Sequence, residues 1–310
     1  MKNILTRKYV TELDNTHCRN MDDPSVIIIP DGIKIIDKEC FRDTDDITTV
    51  IIPKGVTKIG WSAFSGCTSL KSITIPSGVK EIGFSAFENC TSLESITITR
   101  GVKEIGAGAF ENCTSLKSIT IPKGITRIDE ATFKNCTSLE SVTIPGNVKE
   151  IGWSAFSGCT SLKSISIPDS VEKIGGDAFY ECTSLKSISI PDSVKEIDGG
   201  AFEYCDSLKS ISIPDSVEEI SDYAFYGCRS LETISIPEGI TRIGYCAFEG
   251  CNSMEAITIP KSVYEICDRA FADCESLEYV DIPDSVVHID EDAFRGCRYI
   301  RAPYWARDNA

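Results

Sequence analysis

The chain has no run of about 18 consecutive apolar residues, the length a membrane-spanning helix needs. It is short of positive charge: 31 Lys and Arg stand against 47 Asp and Glu, a formal charge of −16. Phosphate backbones and anionic bilayers attract clustered Lys and Arg, so neither nucleic acid nor membrane insertion is expected. Histidine occurs only as His17 and His288, far apart in sequence. No Cys-x-x-Cys pair occurs, and Gly106-Ala107-Gly108 lacks the third glycine of a nucleotide-binding loop. With no convergent base, nucleophile or ligand cluster, the expectation is no enzyme, no metal and no cofactor. The opening residues, MKNILTRKYVTELDN, lack the apolar core of a signal peptide.

What the chain does have is one segment, repeated. Ile73 to Ser95 reads ITIPSGVKEIGFSAFENCTSLES, and its template is I-x-I-P-x-x-V-x-x-I-x-x-x-A-F-x-x-C-x-S-L-x-x. Phe recurs every 23 residues from Phe41 to Phe294, and Cys follows three residues later in every copy but the first, where Thr44 stands. A fixed period of this length means stacked coils, each burying its apolar side against its neighbours. The expected organisation is a worn N-terminal capping coil over 1–26, twelve repeats over 27–302 and a short tail over 303–310, as one elongated domain. In the cap, Ile4, Val10 and Leu13 stand one period before Ile27, Ile33 and Ile36, and Cys18 one period before Phe41. Tyr304 and Trp305 are expected to fold over the far end of the core.

Within a repeat, Leu70-x-x-Ile73-x-Ile75 alternates as a strand does, and Pro76 ends it by offering no N–H. Equivalent strands of successive coils then pair in parallel. Ala86, Phe87 and Cys90 have the spacing of one helical turn. Two positions after Phe stands Gly, Asn or Asp in most copies, as a left-handed backbone requires; Glu181 and Tyr204 depart from this pattern. The Ser before each Leu is expected to bond the neighbouring coil's backbone.

Fifteen Cys is a count typical of secreted disulfide frameworks, but eleven occupy one template position, Cys67 to Cys297. Eleven is odd, so this set cannot pair completely within itself. It reads as a ladder of buried thiols acting as small hydrophobes. Cys18, Cys40, Cys246 and Cys267 lie off the template, and Cys246 with Cys251 is the one close pair.

The element L-x-x-I-x-I-P followed by V-x-x-I-x-x-x-A-F-x-x-C resembles the BspA-like, or treponemal-type, leucine-rich repeats, over residues 27 to 302. The resemblance implies an α/β repeat solenoid. This is a curved, right-handed array with a parallel β-sheet on the concave face and short strands or helical turns on the convex face. It also implies surface adhesion or recognition of a protein partner, at the cell surface or in secreted form. The missing signal peptide leaves a cytoplasmic leucine-rich-repeat scaffold as the alternative. A monomer is expected.

Candidate binding residues are the outward ladders. Ser164, Ser187 and Ser210 form one hydroxyl row and Ser166, Ser189 and Ser212 a second. Lys163, Lys186 and Lys209 stack just before the strands, and Asp169, Asp192, Asp215 and Glu238 just after. Together they form a polarised groove: lysines on one rim, hydroxyls between, acids on the other. Repeat duplication and the turn preference of Pro-Asp-Ser account for the same residues without function. The hydroxyl lattice also has the regularity of a water-ordering surface, an alternative that curvature disfavours and a thermal-hysteresis assay tests. Trp61 and Trp153 share a variable, hence exposed, template position and are candidate anchors. Asn89, Asn112 and Asn135 begin Asn-Cys-Thr glycosylation patterns, although backbone demands already explain these Asn.

Overall fold

The computed structural model describes residues 3–12 and 18–297. His17, Tyr304 and Trp305 lie outside them. The chain packs as two compact units, Met1–Val148 and Lys149–Ala310. Each unit is built of coils that carry one main strand and one two-residue strand.

In the first unit the main strands Val26–Ile28, Thr49–Ile51, Ser72–Ile75 and Ser95–Ile98 pair in parallel with a register of one repeat, Ser72 opposite Ser95 and Ile73 opposite Ile96. Ser118–Thr120 pairs with Ser141–Thr143 in the same register. In the second unit Ser164–Ser166, Ser187–Ser189, Ser210–Ser212 and Thr233–Ser235 form one parallel ladder, and Ala256–Thr258 pairs with Tyr279–Asp281. The short strands, such as Lys58–Ile59 with Glu81–Ile82, form their own parallel ladders.

The apolar template positions fill the core of both units. Phe41, Phe64, Phe87, Phe110 and Phe133 stack with centroids 5.1 to 5.5 Å apart and planes within 7° of parallel. Phe156 to Phe294 stack likewise in the second unit at 5.2 to 5.6 Å, with planes within 9° of parallel. Ring planes in contact are only about 3.5–4 Å apart, so these rings are slipped rather than eclipsed, the arrangement their quadrupoles favour. The template thiols lie beside them, and all fifteen cysteines are free. Template thiols donate to the carbonyl of the Phe one coil back, as Cys90 Sγ does to Phe64 O at 3.2 Å and Cys205 Sγ to Phe179 O at 3.3 Å. Burial raises the Cys182 thiol to about 12, so it carries no thiolate at neutral pH. The close pair of the sequence is not a disulfide: Cys246 and Cys251 are both buried and free, and Cys251 donates to Phe225 O.

The helical half of the α/β expectation does not hold. Among the described residues the only helix is Arg7–Glu12, and the segment around each Phe is a chain of turns. Its N–H groups alternate. Those of Ser62, Phe64 and Gly66 reach carbonyls of the next coil (Phe84, Ala86, Glu88). Those of Ala63, Ser65 and Cys67 close three-residue turns onto Gly60, Ser62 and Phe64. A helix is blocked because two positions per coil are left-handed. One is two residues after Phe, where Asn89, Glu181 and Tyr204 have φ of 59°, 54° and 56°. Glu181 and Tyr204 thus adopt the conformation their neighbours' Gly and Asn adopt, despite their side chains. The other is two residues before Phe, where Ser62, Ala131 and Tyr223 have φ of 50°, 52° and 59°.

The N-terminal register also differs from expectation. Ile4 pairs with Ile35 and Leu5 with Ile36, so Ile4 joins the short-strand ladder and does not take the main-strand place that Ile27 takes in its coil. Leu5 is fully buried there. The place beside the first main strand is taken by a segment running the other way: Arg19 bridges Ile27 antiparallel, and Ile28 N donates to Cys18 O at 2.6 Å. Arg19 is pinned by both carboxylate oxygens of Asp46 at 2.9 and 3.0 Å. This fold-back covers an otherwise open sheet edge, and it removes Cys18 from the Phe position.

Candidate protein-binding face

The strand face of the second unit carries most of the predicted residues. Ser164, Ser187, Ser210 and Thr233 are exposed and aligned by the ladder, as are Ser166, Ser189, Ser212 and Ser235. The alternation of the strand turns Ile165, Ile188 and Ile211 into the core and leaves the hydroxyls outside. Lys163, Lys186 and Lys209 are exposed and follow one another along the stack, Lys186 N donating to Lys163 O at 3.1 Å. The like-charge cost of that stack is offset at one end, where Lys209 Nζ meets Glu232 Oε1 at 3.0 Å. Lys186 makes no ion pair among the described residues. Asp169, Asp192, Asp215 and Glu238 are exposed in the turns that follow.

Sequence reasoning missed how this face ends. Thr233–Ser235 and Ala256–Thr258 belong to separate sheets. Where they part, a depression of about 370 Å³ is lined by Thr233, Ser235, Thr258, Glu238 and the partly exposed Ile234 and Ile236. It adds apolar lining to a face otherwise polar. No sequence signal marks it, because Ile234 and Ile236 match the template like any other core residue.

The tryptophans do not join this face. Trp61 and Trp153 are 51% and 55% exposed, as their variable position predicts, but both belong to the turn segment. Trp61 meets exposed Phe84 edge-on at 6.3 Å. Trp153 lies across Gly176, where an added Cβ would come within 2.8 Å of its ring. Asn112 Nδ2 donates to Asn89 Oδ1 at 2.9 Å and Asn135 Nδ2 to Asn112 Oδ1 at 3.0 Å, so two of the three amides are engaged as donors in a ladder along the stack. Among the described residues, hydroxyl bonds to the neighbouring coil come from residues such as Thr114 (to Thr91 O), Ser193 (to Val171 O) and Thr241 (to Glu218 O), rather than from the serines before Leu. Among the described residues no group of three or more His, Cys, Asp or Glu is placed to hold a metal, and no helix is long and apolar enough to cross a membrane.

The family model of the BspA type leucine rich repeat region matches residues 11–139, 57–186, 127–252 and 172–301. A leucine rich cell surface protein of Faecalibacterium prausnitzii is 32% identical, with 94% of each chain covered and a TM-score of 0.62. A leucine-rich repeat protein of Bacteroides ovatus is 32% identical over 88% of this chain and 76% of its own, with a TM-score of 0.69. One from Eubacterium ventriosum shares the fold at 20% identity and a TM-score of 0.52. No curated protein matches. The repeat template, the parallel coils and the family match over nearly all the described chain agree: the protein belongs to the BspA-type leucine-rich repeat family.

Proposed function

We propose that this chain is a non-enzymatic protein-interaction module, acting in surface adhesion or recognition, whose strand face is the concave docking face. The observation that carries this reading is the exposed hydroxyl lattice of the second unit, set between a row of lysines and a row of acids. Parallel ladders hold these groups in place before a partner arrives, so little ordering entropy is lost on binding. Charges at a rim steer encounter and set register. A surface location is supported by the F. prausnitzii relative, which is described as a cell surface protein.

The test compares capture of proteins from surface extracts of candidate partner cells by the native chain and by Lys186→Glu/Asp192→Lys, alongside their melting curves. The account expects the reversed groove to lose specifically retained proteins at unchanged melting temperature. Identical capture by both chains overturns the strand-face site. A second reading, an intracellular scaffold, is favoured by the fifteen free thiols, since a reducing cytosol keeps thiols in that state. Fractionation of the source cell decides between the two: recovery at the surface supports adhesion, and recovery in the cytosol supports the scaffold.

A further inference from the structure

The turn face of the second unit carries a cluster of tyrosines that the strand-face reading does not use. Tyr180 meets Tyr204 edge-on at 5.8 Å, and Tyr204 meets Tyr226 at 5.2 Å. Tyr223 continues the chain to Tyr226 and Tyr245 at 5.9 and 5.2 Å. Edge-to-face packing fixes these rings without covering all their faces. Tyr223 is 39% exposed. A hydrogen bond from the Tyr226 hydroxyl to Tyr204, with burial, raises that phenol to about 12 and keeps it neutral.

Beside Tyr204 and Tyr226 lies a cavity of about 240 Å³, lined also by Arg229, Glu249, Asn252, Asp273 and Glu275. Glycines make the room. At Gly250 an added Cβ would meet nothing closer than 3.8 Å, whereas at Gly227 it would strike the Tyr204 ring at 2.5 Å. Glu249 is only 6% exposed. Its Oε1 holds Arg269, whose own Nε is buried without a partner, while Oε2 is buried and has only the weak donor of the Cys246 thiol nearby. The cations around the cavity are engaged: Arg229 with Asp206 and Arg295 with Asp273. A second sign of surplus negative charge lies one coil back. Glu203 is raised to about 7, first by burial and then by Asp177 and Glu181.

Aromatic faces, a buried carboxylate oxygen with no strong donor and an exposed acidic rim together define a receptor for a cation. The cavity matches one side chain rather than a folded domain. We infer that the Tyr204–Tyr226 pair with Glu249, Asp273 and Glu275 forms a second docking site, which receives a lysine or arginine side chain from a basic segment of a protein partner.

The repeat supplies substitutions that the fold already tolerates. Asn stands at the template position of Tyr204 in Asn89, Asn112 and Asn135, all left-handed, and Ser stands at that of Tyr226 in Ser65 and Ser157. Tyr204→Asn/Tyr226→Ser therefore removes the aromatic pair without changing net charge. The experiment titrates the full chain into a short fluorescein-labelled lysine–glycine peptide, with arginine–glycine and glutamate–glycine peptides in parallel, and reads anisotropy. The native chain should bind one or both basic peptides and not the acidic one. The double variant should bind about tenfold more weakly, the loss of roughly one or two cation–π contacts. Asp273→Asn should also weaken binding. Lys186→Glu/Asp192→Lys should leave it unchanged, so this site and the strand-face site fail or stand separately. Equal affinity of the native chain and the double variant overturns the inference, since binding is then only the diffuse attraction of an acidic protein for polycations. Absence of binding by the native chain overturns it as well.

Discussion

Single residues here hold conformations and ionisation states that their own chemistry disfavours, and the repeat imposes both. Ala131 has φ of 52°, a left-handed conformation its methyl group resists. Ala131→Gly relieves roughly 1 kcal/mol of that strain and loses part of it to the greater entropy of the unfolded chain. A gain of ~0.5 kcal/mol in urea unfolding is expected, whereas a loss of stability would show that the turn does not require this backbone. Glu203 is the ionisation case. Its folded value of about 7 lies above the usual 4.5, so its neutral form is the one the fold favours. The favourable contribution is fully present below the unfolded value and is lost as pH rises through about 7. Glu203→Gln should raise stability at pH 8 by roughly 1–3 kcal/mol, after allowance for partial exposure, and change little near pH 4.5. Melting curves at both pH values check it; an equal shift at both would mean that burial of charge is not the cause. The left-handed position after Phe was legible in the sequence because Gly, Asn and Asp mark it in most copies. The one before Phe was not. There Glu39, Ser62, Ala131, Asp177, Tyr223 and Arg269 share a conformation and no chemistry, because the hydrogen bonds to adjacent coils fix the backbone and the side chain merely follows.

At the scale of the element, the alternation of the main strand was readable from sequence and the turn segment was not. Ile73 and Ile75 are buried and Ser72 and Thr74 exposed, which period-two patterning dictates. Ala86, Phe87 and Cys90 have the spacing of a helical turn, but the ladder of N–H groups to the next coil competes with the helix and wins. The cost of breaking one rung can be measured. Phe179 lies fully buried between Phe156 and Phe202, at 5.6 and 5.4 Å. Phe179→Ala leaves a cavity in a stack that cannot collapse without shifting its coils, and should cost ~3–5 kcal/mol. Calorimetry or denaturant unfolding giving under about 1 kcal/mol would mean that neighbouring coils move in to fill the space. The candidate groove was legible by the same logic as the strands, since one template position becomes one row. The depression beyond Thr233 was not, because it depends on whether two successive strands pair, and their sequences fit the template alike.

For the whole molecule, a period of 23 residues predicted the parallel coils and the burial of the template thiols from where Phe and Cys recur, while the family followed from the resemblance of the repeat motif. It misjudged the first coil, where the chain folds back on its own sheet edge through Arg19 and the period no longer governs. Partner binding leaves no such periodic mark, so the docking faces rest on which rows the coils expose. The central claim is that the core of both units is a closed ladder of Phe rings and reduced thiols, with only the outer rows free to act. A thiol titration of the protein purified without reductant tests this most directly. The account predicts fifteen reactive thiols in guanidinium and, in the native state, silence from all but Cys297, which is partly exposed and held near 11 by burial, and so reacts slowly. Fewer than fifteen thiols on unfolding, or several reacting at once in the native protein, would contradict the closed ladder and the fold built around it.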